Sequence, residues 1–128
     1  MQLLLDTHIA LWAITDDKRL AKSAKNLIIN ARNQIWVSTV SIWEIAIKYR
    51  IARGDMPIGS EEATDYFKAS GFMLLPIQPE HAMATEALPD HHQDPFDRLL
   101  IAQSLQEPMR LITHDSMLAK YSDTVILV

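Results

Sequence analysis

The chain has 128 residues, of which 48% are hydrophobic and 22% charged, and it contains no cysteine. This length suits one domain, residues 1–128, and the lack of cysteine excludes a disulfide framework, thiol catalysis and a thiolate zinc site. The net charge of −4 excludes a general basic coat for nucleic acid. The chain has neither a signal-peptide pattern nor an apolar run of the ~18 residues that span a membrane, so we expect a cytoplasmic protein.

Short apolar runs alternate with helical patterns, which predicts a parallel sheet with helices on its faces. In chain order, the pattern predicts a strand at 3–5, helices at 9–14 and 21–31, a strand at 35–38, helices at 41–53 and 61–69, a strand at 72–76, a helix at 80–88, a helix that begins at Asp94-Pro95, a strand at 110–113, a short helix at 116–120 and a strand at 125–127.

Although the chain carries a net negative charge, it contains two runs of basic residues. Such runs are usually solvated helix faces, and contact with a substrate is the alternative. The runs are Lys18, Arg19, Lys22, Lys25 and Arg32, and Lys48, Arg50 and Arg53.

Four acids stand at positions where chemistry is expected. Asp6 and Asp115 follow predicted strands, Asp97 lies in the first turn of a helix, and Glu44 lies inside another helix. Ligands of open α/β sheets bind beyond the carboxyl ends of the strands, where the strand order reverses. The acids are therefore candidates for one site.

Each acid also has a local explanation. The two acids at strand ends could cap the helices that follow them, and Glu44 could pair with Lys48 one turn later. The negative charge of Asp97 could be stabilised by the positive end of the helix dipole. However, Asp97 shares a helix face with Leu100 and Ile101, where an ion without a partner would be costly. Considered together, the four acids are better explained by one shared site than by four separate local roles.

Carboxylates that converge need positive charge beside them. At ~4 Å and an effective dielectric constant near 20, two of them repel by about 4 kcal/mol. Oxygen ligands without cysteine favour Mg²⁺ or Mn²⁺ over Zn²⁺. A divalent cation held by carboxylates is the usual means of hydrolysing phosphodiesters.

Four segments carry a family resemblance. They are Leu4-Leu5-Asp6-Thr7-His8, Ser41-Ile42-Trp43-Glu44-Ile45, Asp94-Pro95-Phe96-Asp97-Arg98 and Ile112-Thr113-His114-Asp115. Their order and spacing resemble the PIN-domain family, and within it the VapC-type toxin ribonucleases, over nearly the whole chain. The resemblance implies a three-layer α/β/α fold around a parallel sheet of about four to five strands. It also implies an Mg²⁺-dependent endoribonuclease, with Mn²⁺ as a substitute, that is the toxin of a type II toxin–antitoxin system.

The resemblance also implies roles for individual residues. Thr7 and Thr113 would support the site. Independently of the resemblance, the position of Arg98 beside Asp97 allows either a phosphate contact or an outward salt bridge. Met117 replaces an acid that some PIN domains carry, which leaves open whether one or two metals bind. RNA, a cognate antitoxin and a second copy of the chain are the implied partners. The implied catalytic and metal-binding acids are Asp6, Glu44, Asp97 and Asp115.

Two other functions stay open at this point. An aspartyl-nucleophile phosphatase would use Asp6, but its usual signature needs an acid where this chain has His8. A catalytically inactive PIN-like scaffold would bind RNA or protein without cleaving it. Binding of Mn²⁺ distinguishes the nuclease from the scaffold, and a phosphoryl group on Asp6 would indicate the phosphatase.

Histidine and tryptophan residues give weaker indications. His91 and His92 lie in a polar loop, and we expect neither to bind a metal. The histidines beside Asp6 and Asp115, which are His8 and His114, either support the site acids or contact substrate, or else are packed or solvated side chains. We expect the three tryptophans in the core, with an interface role for Trp12 and Trp43 as the alternative.

Overall fold

A computed structural model describes residues 1–51 and 56–128 of the chain. At its centre lies a sheet of five strands that all run parallel, as the fold class predicts. The strands are β1 (Gln2–Leu5), β2 (Gln34–Ser38), β3 (Met73–Leu75), β4 (Arg110–Thr113) and β5 (Ile126–Leu127). Their spatial order is β3-β2-β1-β4-β5.

Helices connect the strands and cover both faces of the sheet. They are α1 (Thr7–Thr15), α2 (Lys22–Ile29), α3 (Thr39–Arg50), α4 (Ser60–Ala69), α5 (Pro79–Ala84), α6 (Pro95–Gln106) and α7 (Ser116–Ala119), with a 3₁₀ turn at Thr85–Ala87. The helix predicted at 80–88 is thus α5 followed by the 3₁₀ turn. The helix predicted at 41–53 is α3, and the end of that prediction, with Arg53, lies outside the described residues.

The apolar residues of β1 divide between two cores. Leu3 and Leu5 pack in a cluster with Phe67 of α4, whereas Leu4 packs in a second cluster with Leu100 of α6. Because successive side chains of a strand point to opposite faces, both faces of the sheet are covered. This explains the unbroken apolar sequence of β1, which is typical of a parallel strand buried on both sides.

The sheet reverses its strand order beside β1. The chain runs from β1 outward to β2 and β3, and then crosses back to β4 and β5 on the other side of β1. The carboxyl ends of β1 and β4 therefore form the edge at which ligands of such sheets bind. Asp6 and Thr113 lie at this edge. Within residues 1–51 and 56–128, no helix has the length and apolar character needed to cross a membrane.

Candidate active site

Asp6 lies at the carboxyl end of β1 and begins α1. Its Oδ1 accepts a hydrogen bond from the backbone N–H of Ile9 at 2.9 Å, and its Oδ2 accepts one from the Thr113 hydroxyl. The residue is only 5% exposed. Burial raises the pKa of Asp6, although the hydrogen bonds and the charges of His8 and His114 lower it in part. Asp6 is therefore both a helix cap and a buried carboxylate at the edge of the sheet.

Glu44 is a buried acid in α3 whose two oxygens both have partners. Thr7 Oγ1 donates to Oε1 at 2.6 Å, and the ammonium of Lys48 binds Oε2. Burial alone would lower the pKa of Lys48, but Glu44, with the charges of Asp94 and Asp97, raises it. Lys48 therefore stays protonated and positively charged beside these acids.

Asp97 occupies the first turn of α6, behind the capping residue Asp94, whose Oδ1 accepts from the backbone N–H of Asp97 at 3.3 Å. Burial raises the pKa of Asp97 to about 7, helped by the negative charge of Asp94. Asp6 and Glu44 add to this rise, and His92 opposes it. The raised pKa therefore reflects burial first and the neighbouring negative charges second.

Asp115 caps α7 directly after β4. Its Oδ1 accepts from the backbone N–H of Met117 at 2.9 Å, and its own N–H donates to Thr113 Oγ1 at 3.0 Å. Burial would raise the pKa of Asp115, but the hydrogen bonds from Met117 and His92 lower it. The charges of His92 and His114 act in the same direction. Asp115 therefore stays ionised where Asp97 tends to hold a proton.

Three of the four predicted acids line one open groove of about 480 Å³, the acid cleft. The fourth acid, Glu44, acts on this group electrostatically, because its negative charge helps to raise the pKa of Asp97. Carboxylate oxygens of Asp97 and Asp115 and a ring nitrogen of His92 all lie within 4.8 Å of one another. The carboxylate oxygens of this group fit a divalent cation, because hard cations such as Mg²⁺ take oxygen ligands from carboxylates. The acid cleft is lined by Asp6, His8, His92, Asp94, Asp97, His114, Asp115 and Ser116.

His92, which the sequence places in a polar loop and which we did not expect to bind a metal, lines the acid cleft. Its Nδ1 accepts from the backbone N–H of Asp94 at 3.0 Å, so Nε2 carries a proton and is a donor. This Nε2 lies 2.9 Å from Asp115 Oδ2 and 3.3 Å from Asp97 Oδ2. The Tyr121 hydroxyl accepts from the His92 backbone N–H at 2.9 Å. The one signal in the sequence was the position of His92, two residues before the helix cap.

Arg98 uses its guanidinium to hold a loop. Nη1 donates to the carbonyl oxygen of Pro89 at 3.0 Å and to the Tyr121 hydroxyl at 3.2 Å, and Nη2 donates to the carbonyl of Thr85 at 3.0 Å. An outward ion pair with Asp90 is also present, at 3.8 Å. The outward salt bridge that the sequence allowed is therefore found, and the phosphate contact stays a prediction.

The tryptophans differ in their burial. Trp12 is 7% exposed and belongs to the first core, as predicted. Trp36 is partly buried against the second core. Trp43 is 57% exposed and meets the ring of Phe96 edge to face at 5.4 Å, so the prediction that it lies in the core was wrong. The apolar pattern of α3 did not reveal which of its faces reaches the sheet.

Comparison with known proteins agrees with this fold. The PIN domain family model matches residues 3–123. Ribonuclease VapC22 of Mycobacterium tuberculosis is a similar protein, 29% identical over 123 residues that cover 92% of this chain and 90% of that protein.

Solved structures resemble the fold over nearly the full length of both chains. One is VapBC2 from Rickettsia felis bound to a DNA fragment from their promoter, with a TM-score of 0.69, 17% identity, and coverage of 100% of this chain and 98% of that chain. Another is DNA-bound VapBC from Salmonella typhimurium, with a TM-score of 0.69, 12% identity, and coverage of 100% and 97%. Since the family model spans nearly all of the sequence, the chain belongs to the PIN domain family.

Proposed function

We propose that this chain is a divalent-metal-dependent endoribonuclease and the toxin of a type II toxin–antitoxin pair. The observation that carries the proposal is the crowding of Asp6, Asp97 and Asp115 in the acid cleft of a PIN domain. A similar protein is named a ribonuclease, and similar structures are toxin–antitoxin complexes. Both likenesses support the proposal.

Asp6, Asp97 and Asp115 would hold Mg²⁺, or Mn²⁺ in its place, with Glu44 adding negative charge nearby. When bound, a divalent cation would raise the acidity of water and stabilise negative charge on the phosphate. Hard oxygen donors match either ion. The raised pKa of Asp97 fits this role, because a cation at the site would displace the proton that the carboxyl otherwise holds.

The residues of the chain orient the acids for in-line hydrolysis of a phosphodiester. Thr113 binds Asp6 and the backbone of Asp115, and Thr7 binds Glu44. A site carboxylate accepts the proton of the attacking water. The products would carry 5′-phosphate and 3′-hydroxyl ends. His92 Nε2 donates to Asp115 and lies 3.3 Å from Asp97, and so limits how far the Asp115 carboxylate can turn away from the cleft.

The proposed function also implies the partners and the cellular location of a toxin. A cognate antitoxin would block the acid cleft, two copies of the chain would form a homodimer, and the protein would act in the cytoplasm as one PIN domain. The DNA-bound VapBC structures support an antitoxin partner.

The test incubates end-labelled RNA with the purified protein in Mg²⁺, in Mn²⁺ and in an excess of chelator. We expect cleavage with either cation, 5′-phosphate products, and no cleavage with chelator. An Asp6→Asn variant prepared in parallel excludes a contaminating nuclease. Cleavage that survives the chelator would contradict the proposed mechanism. A protein that binds RNA but neither cleaves it nor binds Mn²⁺ would favour the inactive scaffold.

A further inference from the structure

A second open groove, of about 520 Å³, adjoins the acid cleft. We call it the aromatic shelf, and it is lined by His8, Trp12, Arg19 and His114. His8 and His114 line both the aromatic shelf and the acid cleft. A chain that passes through the acid cleft can therefore continue directly onto the shelf. The volume is within the range of small-ligand sites, roughly 300–1,000 Å³.

Trp12 forms the rigid floor of the aromatic shelf. Its indole is almost fully buried, and it packs in the core of the protein. The ring centroid of His114 lies 4.8 Å from that of Trp12, and the ring centroid of His8 lies 5.9 Å from it. His114 itself is exposed. The indole thus supports an imidazole that is open to solvent.

Arg19 adds a flat cationic group to the same floor. Its Cζ lies 5.1 Å from the centroid of the Trp12 ring. Nε and Nη2 bind the two oxygens of Asp17, at 3.1 Å and 2.8 Å, and these contacts hold the guanidinium in a defined plane. The side chain is more than half exposed. A guanidinium held in this way offers a planar surface without first losing its freedom of rotation.

The chemistry of the aromatic shelf is opposite to that of the acid cleft. The cleft is rich in carboxylates, whereas the described residues that line the shelf contribute aromatic rings and a guanidinium. Unpaired RNA bases stack on aromatic rings and on arginine guanidinium planes. We propose that the aromatic shelf stacks the unpaired base of the nucleotide next to the cleaved phosphate. This inference rests on the proposed ribonuclease function and names the part of RNA that the protein recognises.

Stacking of this kind accepts any base, because every base has a π face. A base inside a duplex cannot stack on the shelf unless it leaves its own stack. The aromatic shelf therefore selects single-stranded segments, such as loops, rather than a base sequence. His114 and Arg19 contribute contacts with the base in this picture, and neither needs to bind the metal.

The test first maps one cleavage site in a short RNA and then removes the base on either side of it by an abasic substitution. We expect one of the two abasic RNAs to be cleaved about 10-fold less efficiently, judged by kcat/KM. His114→Ala and Arg19→Ala should cost a similar factor with intact RNA and almost nothing with that abasic RNA. Arg32→Ala, an exposed arginine of the same basic run, is the matched control.

Equilibrium binding of uncleaved RNA to protein that carries Asp97→Asn gives a second readout. Adding His114→Ala to this protein should weaken binding of the intact RNA and leave binding of the abasic RNA unchanged. Equal cleavage of intact and abasic RNA, with both shelf variants fully active, would overturn the inference and leave the ribonuclease in place. Variants that escape inhibition by an antitoxin but cleave RNA normally would overturn it as well, by assigning the shelf to a protein partner. The absence of cleavage from every RNA would overturn the proposed function itself.

Discussion

Two neighbouring residues of α6 place their charges in opposite surroundings. Asp97 faces other acids in the acid cleft, and its pKa of about 7 reflects burial together with the negative charges of these acids, which His92 offsets only in part. Arg98 lies in what we call the Arg98 clamp, where the carbonyls of Thr85, Leu88 and Pro89 and the Tyr121 hydroxyl accept its hydrogen bonds. A charged group whose hydrogen-bonding partners are supplied by the protein, such as Arg98, contributes to stability. A carboxylate with too little positive charge beside it, such as Asp97, can instead bind a cation.

The two regions are also linked. Arg98 Nη1 lies 3.4 Å from the carbonyl oxygen of His92, and the hydroxyl of Tyr121 binds the backbone N–H of the same residue. The Arg98 clamp thereby holds the loop that carries His92 to Asp115. A change in the clamp is therefore expected to reach the acid cleft through this loop.

The largest effect is expected from Asp97→Asn. In the proposed mechanism, loss of one ligand charge would remove several kcal/mol of transition-state stabilisation, which corresponds to about 10³-fold in cleavage rate. The variant should keep its far-UV circular dichroism spectrum and lose affinity for Mn²⁺. Asp65→Asn, an exposed acid of α4, is the control and should cleave normally. A folded Asp97→Asn protein with full activity would remove this residue from the mechanism.

The next effect concerns pH without a divalent cation. Folded Asp97 has a pKa of about 7 against the ordinary 3.8, so the folded state holds a proton that the unfolded chain releases. Stability should therefore fall as the pH rises from about 4 to 7, by on the order of 3 kcal/mol from this group. The raised pKa of Asp6 acts in the same direction.

Urea unfolding at pH 5 and pH 7, in chelator, measures this loss. Asp97→Asn should flatten the dependence on pH, because the amide does not titrate. Saturating Mg²⁺ should offset the loss at pH 7 by binding the folded state. If the wild type and Asp97→Asn show the same slope between these pH values, the carboxylates are not crowded as described.

Arg98→Ala should reduce stability by about 2 kcal/mol, because charged hydrogen bonds to loop carbonyls are lost. Arg98→Lys should not restore it, since an ammonium cannot reproduce the fork of guanidinium donors. Arg32→Ala should change stability by less than about 0.5 kcal/mol. Chemical denaturation measures all three. An Arg98→Ala protein with wild-type stability and weakened RNA binding would instead support the phosphate contact predicted from the sequence.

The smallest effect is expected at His92. His92→Ala should weaken Mn²⁺ binding about 10-fold, measured by calorimetry, because Asp115 loses the donor that orients its carboxylate. His92→Gln keeps a side-chain donor and should recover part of the affinity. Tighter Mn²⁺ binding by His92→Ala would show that the imidazole competes with the cation rather than preparing its site.

Some features of the protein follow from local sequence. The strands at 3–5 and 110–113 and the start of α6 at Asp94-Pro95 lie where the patterns predict them, because apolar periodicity and helix caps depend on near neighbours. The order of four motifs was enough to indicate the PIN domain family, which the family model confirms. The metal and the roles of the individual acids stay predictions.

Other features were decided by contacts between distant parts of the chain. Thr113 and Asp6 bind each other across 107 residues of sequence, and only the parallel pairing of β1 and β4 brings them together. The same folding brings His92 to Asp115, turns Arg98 toward a loop and leaves Trp43 exposed. Spacing along a chain specifies which residues share one helix or strand. Which elements meet depends on how the helices pack against the two faces of the sheet, and that is a property of the whole fold.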